Sequence, residues 1–112
     1  MTIRKMKQQL VDIRVKTLFD FICAEWKTDI TKIQHDSRKQ RVSAQRKLLW
    51  LAGKEIYPEV RYKALAELTG RKDHHGIMKG IRSAKDLISV SDPCIMRYYR
   101  KIKPLINVKH TA

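Results

Sequence analysis

The stretch Gly70-Arg71-Lys72-Asp73-His74-His75-Gly76-Ile77-Met78-Lys79-Gly80-Ile81 constrains this chain more than any other. A glycine closes one amphipathic run, a polar segment follows, and a second amphipathic run begins. Glycine takes the left-handed conformation that ends a helix, and aspartate is a good start for the next one. Two helices therefore meet at a short turn, an arrangement that can present a helix N-terminus to a groove of DNA.

The rest of the chain reads as helix on both sides of that turn. From Ile3 to about Ile33 there is neither Pro nor Gly, and Met6, Leu10, Ile13, Thr17, Phe21 and Ala24 recur at helical spacing. This predicts one long helix or two shorter ones. Leu18, Phe19, Phe21, Ile22, Cys23 and Trp26 place apolar groups nearly all round the cylinder, so this helix is expected either to wedge into the domain or to pair with a second copy.

Asp36 to Gln45 is polar and positive without a hydrophobic period, which predicts a loop or the start of a helix, with Ser43 as cap. A helix from Ala44 to about Ile56 follows, with Leu48, Leu49, Leu51, Ala52 and Ile56 on an apolar stripe and Trp50 beside it. Tyr57-Pro58 ends it, because the residue before proline avoids the helical region. A short helix from about Arg61 to Thr69 turns Leu65 and Leu68 inward.

The helix predicted from Asp73 puts Ile77, Ile81, Ala84 and Ile88 on one face and His75, Lys79 and Arg82 on the other. Ser91-Asp92-Pro93 starts a last helix, with Asp92 as cap and Pro93 at the first helical position. That helix carries Ile95, Tyr98, Tyr99 and Ile102 and is expected to stop before Pro104, leaving a frayed tail from Asn107. No strand-like alternation appears, so the fold class is all-α: a compact helical domain with a helix-turn-helix and a long N-terminal helix or helix pair. The expected divisions are an N-terminal helical segment at 1–37 for packing or dimerisation, a basic loop and helix start at 38–47, a helix-turn-helix domain at 44–103, and a tail at 104–112.

Composition narrows the partner. The chain holds 25 Lys and Arg against 11 Asp and Glu, a formal charge of +14. Residues 38–112 carry a net +12 of this and residues 1–37 only +2. A positive excess confined to one segment recruits polyanions, and phosphate backbones lead the candidates. Cys23 and Cys94 stand in apolar contexts without CxxC spacing, as expected for free thiols in a reducing cytoplasm. No apolar run approaches the roughly eighteen residues needed to cross a bilayer, so no membrane partner is expected.

At the turn, Asp73, His74 and His75 stand where a recognition helix meets base edges. Asp73 can accept from a cytosine amino group, and each histidine can donate or accept at a purine edge. Arg71, Lys72, Lys79 and Arg82 are placed for phosphates, and Lys54, Arg61 and Lys63 can extend the contact. The run Arg38-Lys39-Gln40-Arg41, with Arg46-Lys47 after it, has no acid within it and can track the backbone or enter a narrow minor groove. The adjacent histidines diverge on a helix, no Cys/His/Asp set has metal spacing, and the glycines do not form GxxxxGK. No enzyme, metal or cofactor is therefore expected.

From about Val42 to Ile102 the chain resembles the C-terminal DNA-binding domain of the bacterial replication initiator DnaA, a helix-turn-helix of the Trp-repressor-like class. The resemblance rests on Gly70-Arg71-Lys72-Asp73-His74-His75-Gly76-Ile77-Met78, similar to the family's Gly-Arg-Asp-His-Thr-Thr turn and following apolar pair. Ala52-Gly53-Lys54-Glu55-Ile56 and Leu65-Ala66-Glu67-Leu68-Thr69 look like two further family segments upstream. The resemblance implies base contacts from Asp73 and His74, a phosphate contact from Lys54, and a basic loop-helix junction at Arg46. His75 and Gly76 replace the family's two threonines, and Ala44 stands where the family has a minor-groove arginine, so the pose is implied without the family's target sequence. The ATPase module of the initiator has no counterpart in residues 1–41.

These readings predict a sequence-specific double-stranded DNA-binding protein, a small cytoplasmic and nucleoid-associated regulator of transcription or replication from a bacterium, phage or mobile element. The alternative is an interaction protein that engages a replication or transcription factor through residues 1–37, with non-specific DNA anchoring. A homodimer through the N-terminal helix fits either reading. RNA is a weaker candidate, because the aromatics fall mostly on apolar helical faces rather than on an exposed stacking surface.

Overall fold

The structure, a computed structural model, describes residues 2–35 and 39–111, with the backbone alone for 107–111. Among the described residues the fold is all-helical: α1 (Ile3–Glu25), α2 (Ile30–Gln34), α3 (Gln40–Ile56), α4 (Tyr62–Leu68), α5 (His75–Ser89) and α6 (Pro93–Thr111). Arg38 lies outside the described residues.

α3 is the axis of the domain. Leu48, Leu49, Trp50, Leu51 and Ala52 are consecutive and all buried, so this helix is covered on every side. α1, α2, α5 and α6 all pack on it. α3 begins at Gln40, four residues before the start expected from the sequence, and Ser43 lies inside it instead of capping it. Lys39 holds the cap position through its backbone, and the first turn forms because Val42 and Ser43 N–H both donate to the Lys39 carbonyl.

α1 has two apolar faces with opposite fates. Val11, Val15, Phe19, Ile22, Cys23 and Trp26 are buried, whereas Ile3, Met6, Leu10, Ile13 and Phe21 are each at least half exposed. The spacing that announced the helix is therefore its outer face. The expectation that this helix wedges into the domain from several directions does not hold; that role belongs to α3. Because α1 supplies Phe19, Ile22 and Trp26, and α2 Ile33, to the common core, these two helices are part of the domain. Trp26 is tied to α6 through Nε1 donating to the Tyr98 carbonyl at 3.0 Å, with the two rings edge to face at 5.6 Å.

Three helix ends share one device. At the ends of α1, α4 and α5 a left-handed residue lets two N–H groups reach back to the last turn: Lys27 and Thr28 to Ala24 and Cys23, Gly70 and Arg71 to Glu67 and Ala66, and Ser91 and Asp92 to Ile88 and Leu87. Only one of the three uses glycine. Lys27 at φ 58° and Ser91 at φ 55° carry the steric cost of a Cβ in that region.

α6 also departs from expectation, since it runs through Pro104 to Thr111. Proline removes one N–H from the ladder. Here Pro104 and Arg100, whose carbonyl loses that donor, are both exposed and water can replace the bond, while Ile102 and Ile106 hold the same helix against the core. At its start Asp92 caps as expected, accepting from Ile95 N–H at 3.1 Å.

Candidate nucleic-acid interface

The turn between α4 and α5 is clamped from two sides. Inside, Thr69 is fully buried; its hydroxyl donates toward the Leu65 carbonyl at 2.9 Å and accepts from Trp50 Nε1 at 3.0 Å. Outside, Gln34 Nε2 donates to the Leu68 carbonyl at 3.0 Å. Gly70 sits at φ +73°, and a Cβ there would lie 3.0 Å from the Gln34 carbonyl oxygen. Neither the conformation nor the space accepts a side chain, so glycine is required here twice over.

α5 begins at His75, two residues later than expected, because Asp73 caps it from outside: Oδ1 accepts from His75 N–H at 2.8 Å. The helix is seated by Ile77, Ile81 and Ala84, and by Gly80, whose Cα faces the Trp50 ring so closely that a Cβ would come within 2.6 Å of Trp50 Cε3. Lys47 Nζ donates to Ser83 Oγ at 3.1 Å along the same seam. These contacts leave the opposite face of α5 to solvent.

On that open side stand Lys72, Asp73, His74, His75, Lys79 and Arg82, all exposed. The His74 and His75 rings lie 4.6 Å apart at 33°, forming a flat aromatic edge over the first turn, with Asp73 Oδ1 3.9 Å from His75 Nε2. Gly76 has no atom within 4 Å of where its Cβ would be, so this turn offers bare backbone beside the rings. The ensemble is chemically mixed: hydrogen-bonding groups at the tip, among them the Asp73 carboxylate that already answers the helix N-terminus, and cations along the shaft.

Met78 belongs to the same surface, although its sequence context marks it as half of an apolar pair. It is 50% exposed and borders a shallow groove with Tyr62, Ile81, Arg82 and Lys85. Its position three residues after His75 and four before Arg82 was the signal, hidden because Ile77 and Met78 read as a single apolar pair. A thioether there can touch a thymine methyl.

The other basic residues divide into two sets. Lys39, Arg41 and Lys63 are exposed and Arg71 half-buried. The start of α3 lies by the other end of α5, where Gln40, Ser43 and Ala44 border a groove with Leu87, Asp92 and Ile95. Four others are engaged within the fold. Arg46, expected at a groove, is only 6% exposed, and its Nη2 donates to the carbonyls of Ile33 and His35 at 3.0 and 3.1 Å. It cannot reach DNA without unlatching α2, whose C-terminal end it ties to α3. Lys54 donates to the Pro58 and Val60 carbonyls and lies 4.5 Å over the Tyr62 ring, so it braces the α3–α4 loop. Arg61 sits 3.6 Å from Asp12 of α1, and Lys47 is held by Ser83.

Compared with models of known protein families, with curated proteins and with solved structures, the chain matches none.

Proposed function

We propose that this protein binds double-stranded DNA sequence-specifically, with α5 in the major groove, and acts as a small DNA-associated regulator of transcription or replication in the pose implied by its resemblance to the DnaA domain. The observation that carries this reading is the exposed face of α5, where a helix N-terminus bearing Asp73, His74 and His75 is followed by Met78, Lys79 and Arg82. In this reading Asp73, the histidines and Met78 meet base edges, while Lys72, Lys79, Arg82 and Arg71 hold phosphates, with Lys39 and Arg41 tracking the backbone from the other end of α5. Arg46 is left out of the contact set. Cation contacts predict an affinity that falls steeply with salt, by about 0.9 in log affinity per log salt for each phosphate neutralised.

Selection from a random duplex pool, followed by fluorescence titration, tests it. One sequence should be favoured at least about tenfold over scrambled duplex at moderate salt. Equal affinity for all duplexes would remove the base-reading roles. That outcome would favour the second reading, protein interaction with non-specific anchoring, for which the exposed outer face of α1 is the supporting observation.

A further inference from the structure

The outer face of α1 is the largest apolar feature the described surface leaves uncovered. Ile3, Met6, Leu10, Ile13 and Thr17 follow the alternating three-and-four spacing of a two-helix seam, continued by Phe21 and Ala24. Exposures run from 50% at Phe21 to 72% at Ile3. Side chains of this size, so exposed, offer on the order of 500 Å² of apolar area together, the upper end of what monomers show. The stems of Lys7, Arg14 and Lys16 flank the stripe and bring the patch toward the roughly 800 Å² per partner of a stable interface.

Charge along α1 indicates what covers it. Residues 3–16 hold Arg4, Lys5, Lys7, Arg14 and Lys16 against Asp12 alone, and residues 17–25 hold Asp20 and Glu25 with no base. The helix is thus basic at one end and acidic at the other. A second copy laid antiparallel sets basic against acidic at both ends, whereas a parallel copy sets basic against basic. We propose that the outer faces of two α1 helices pair antiparallel about a two-fold axis, making the protein a homodimer.

The inner face of α1 stays on α3, and α5 packs on α3, α4 and α6, so pairing through the outer face leaves both α5 helices available. If α5 reads DNA as proposed above, the dimer reads two half-sites in inverted repeat; that consequence rests on the DNA reading, but the dimer does not.

Sedimentation of the full chain without DNA tests the dimer separately. Wild type should reach twice the 13.2 kDa chain mass in the micromolar range. The double variant Leu10→Glu/Ile13→Glu, and independently Met6→Lys/Ile13→Lys, should weaken association at least about tenfold while the circular dichroism stays that of the wild type and unfolding stays cooperative. Direction is read by oxidative cross-linking in a Cys94→Ala background. A cysteine at position 13 lies near the axis and should cross-link, whereas one at position 3 lies on the order of 25–30 Å from its counterpart and should not. A wild type that stays monomeric throughout, a dimer that survives both variants, or equal cross-linking at positions 3 and 13 would overturn the proposal. Failure here with intact sequence-specific DNA binding would sink the dimer alone.

Discussion

Gly76 and Gly80 lie one turn apart on α5, and alanine at each should move stability in opposite directions. At Gly80 a Cβ would come within 2.6 Å of Trp50 Cε3 and closer still to the neighbouring ring carbon. Ordinary carbon contact needs about 1 Å more. The ring cannot yield cheaply, because Trp50 is buried and its Nε1 is held by Thr69 at 3.0 Å. α5 must therefore ride outward, at the upper end of the ~1–3 kcal/mol range for overpacking, offset by about 1 kcal/mol of better helix propensity. Gly80→Ala should then cost about 2 kcal/mol net and lower the melting temperature by about 8 °C. At Gly76 nothing lies within 4 Å, so only propensity acts, reduced in the first turn to about 0.5 kcal/mol of gain. Urea denaturation of both variants measures the two signs in one experiment. Gly80→Ala as stable as wild type, or Gly76→Ala clearly less stable, would refute the seating of α5 on Trp50.

Other expectations follow from the same contacts. Arg46→Ala should destabilise the fold by about 3 kcal/mol, because two carbonyls lose a charged donor and the guanidinium's packing is lost, whereas Arg41→Ala should leave the melting temperature unchanged and weaken duplex binding uniformly. Lys79→Ala should flatten the salt dependence by about one ion, while His74→Ala should erode discrimination between sequences; identical effects would undo the division into phosphate and base contacts. Replacing Lys27 or Ser91 with glycine should stabilise by about 0.5–1 kcal/mol each, read as a higher denaturation midpoint, since both sit at positive φ. Burial, with Asp20 and Asp29 adding to it, pushes the Cys23 thiol up to about 12. The folded state thus keeps a proton that the unfolded chain releases near 8.5, so this contribution to stability is intact below that pH and lost as pH rises toward 12. The difference in stability between wild type and Cys23→Ala should shrink over that window, and a constant difference would contradict it.

Much of this could be read from the chain. The turn at Gly70, the cap at Asp92 and the apolar face of α5 were legible because each depends on residues within a few positions of one another. The start of α5 moved from Asp73 to His75 and the start of α3 from Ala44 to Gln40, shifts of a few residues that cap chemistry alone does not resolve. The ends at Lys27 and Ser91 were not legible, since neither residue type prefers the left-handed conformation it adopts. The candidate interface divides in the same way. The tip residues were visible from turn chemistry, whereas a formal charge says nothing about whether a cation is spent inside the fold.

Sequence periodicity by itself determined that the protein is helical, where its central turn lies, and that positive charge gathers in the C-terminal two-thirds, because these are properties of local spacing and composition. Tertiary structure alone decided which apolar face of α1 is core, since both faces carry the helical repeat and only contact with α3 distinguishes them. It likewise decided that Arg46 and Lys54 serve backbone carbonyls while Lys79 and Arg82 face solvent. Identical charges on adjacent helices acquire different roles from what is packed against them, and that information lies in contacts between residues distant in the chain.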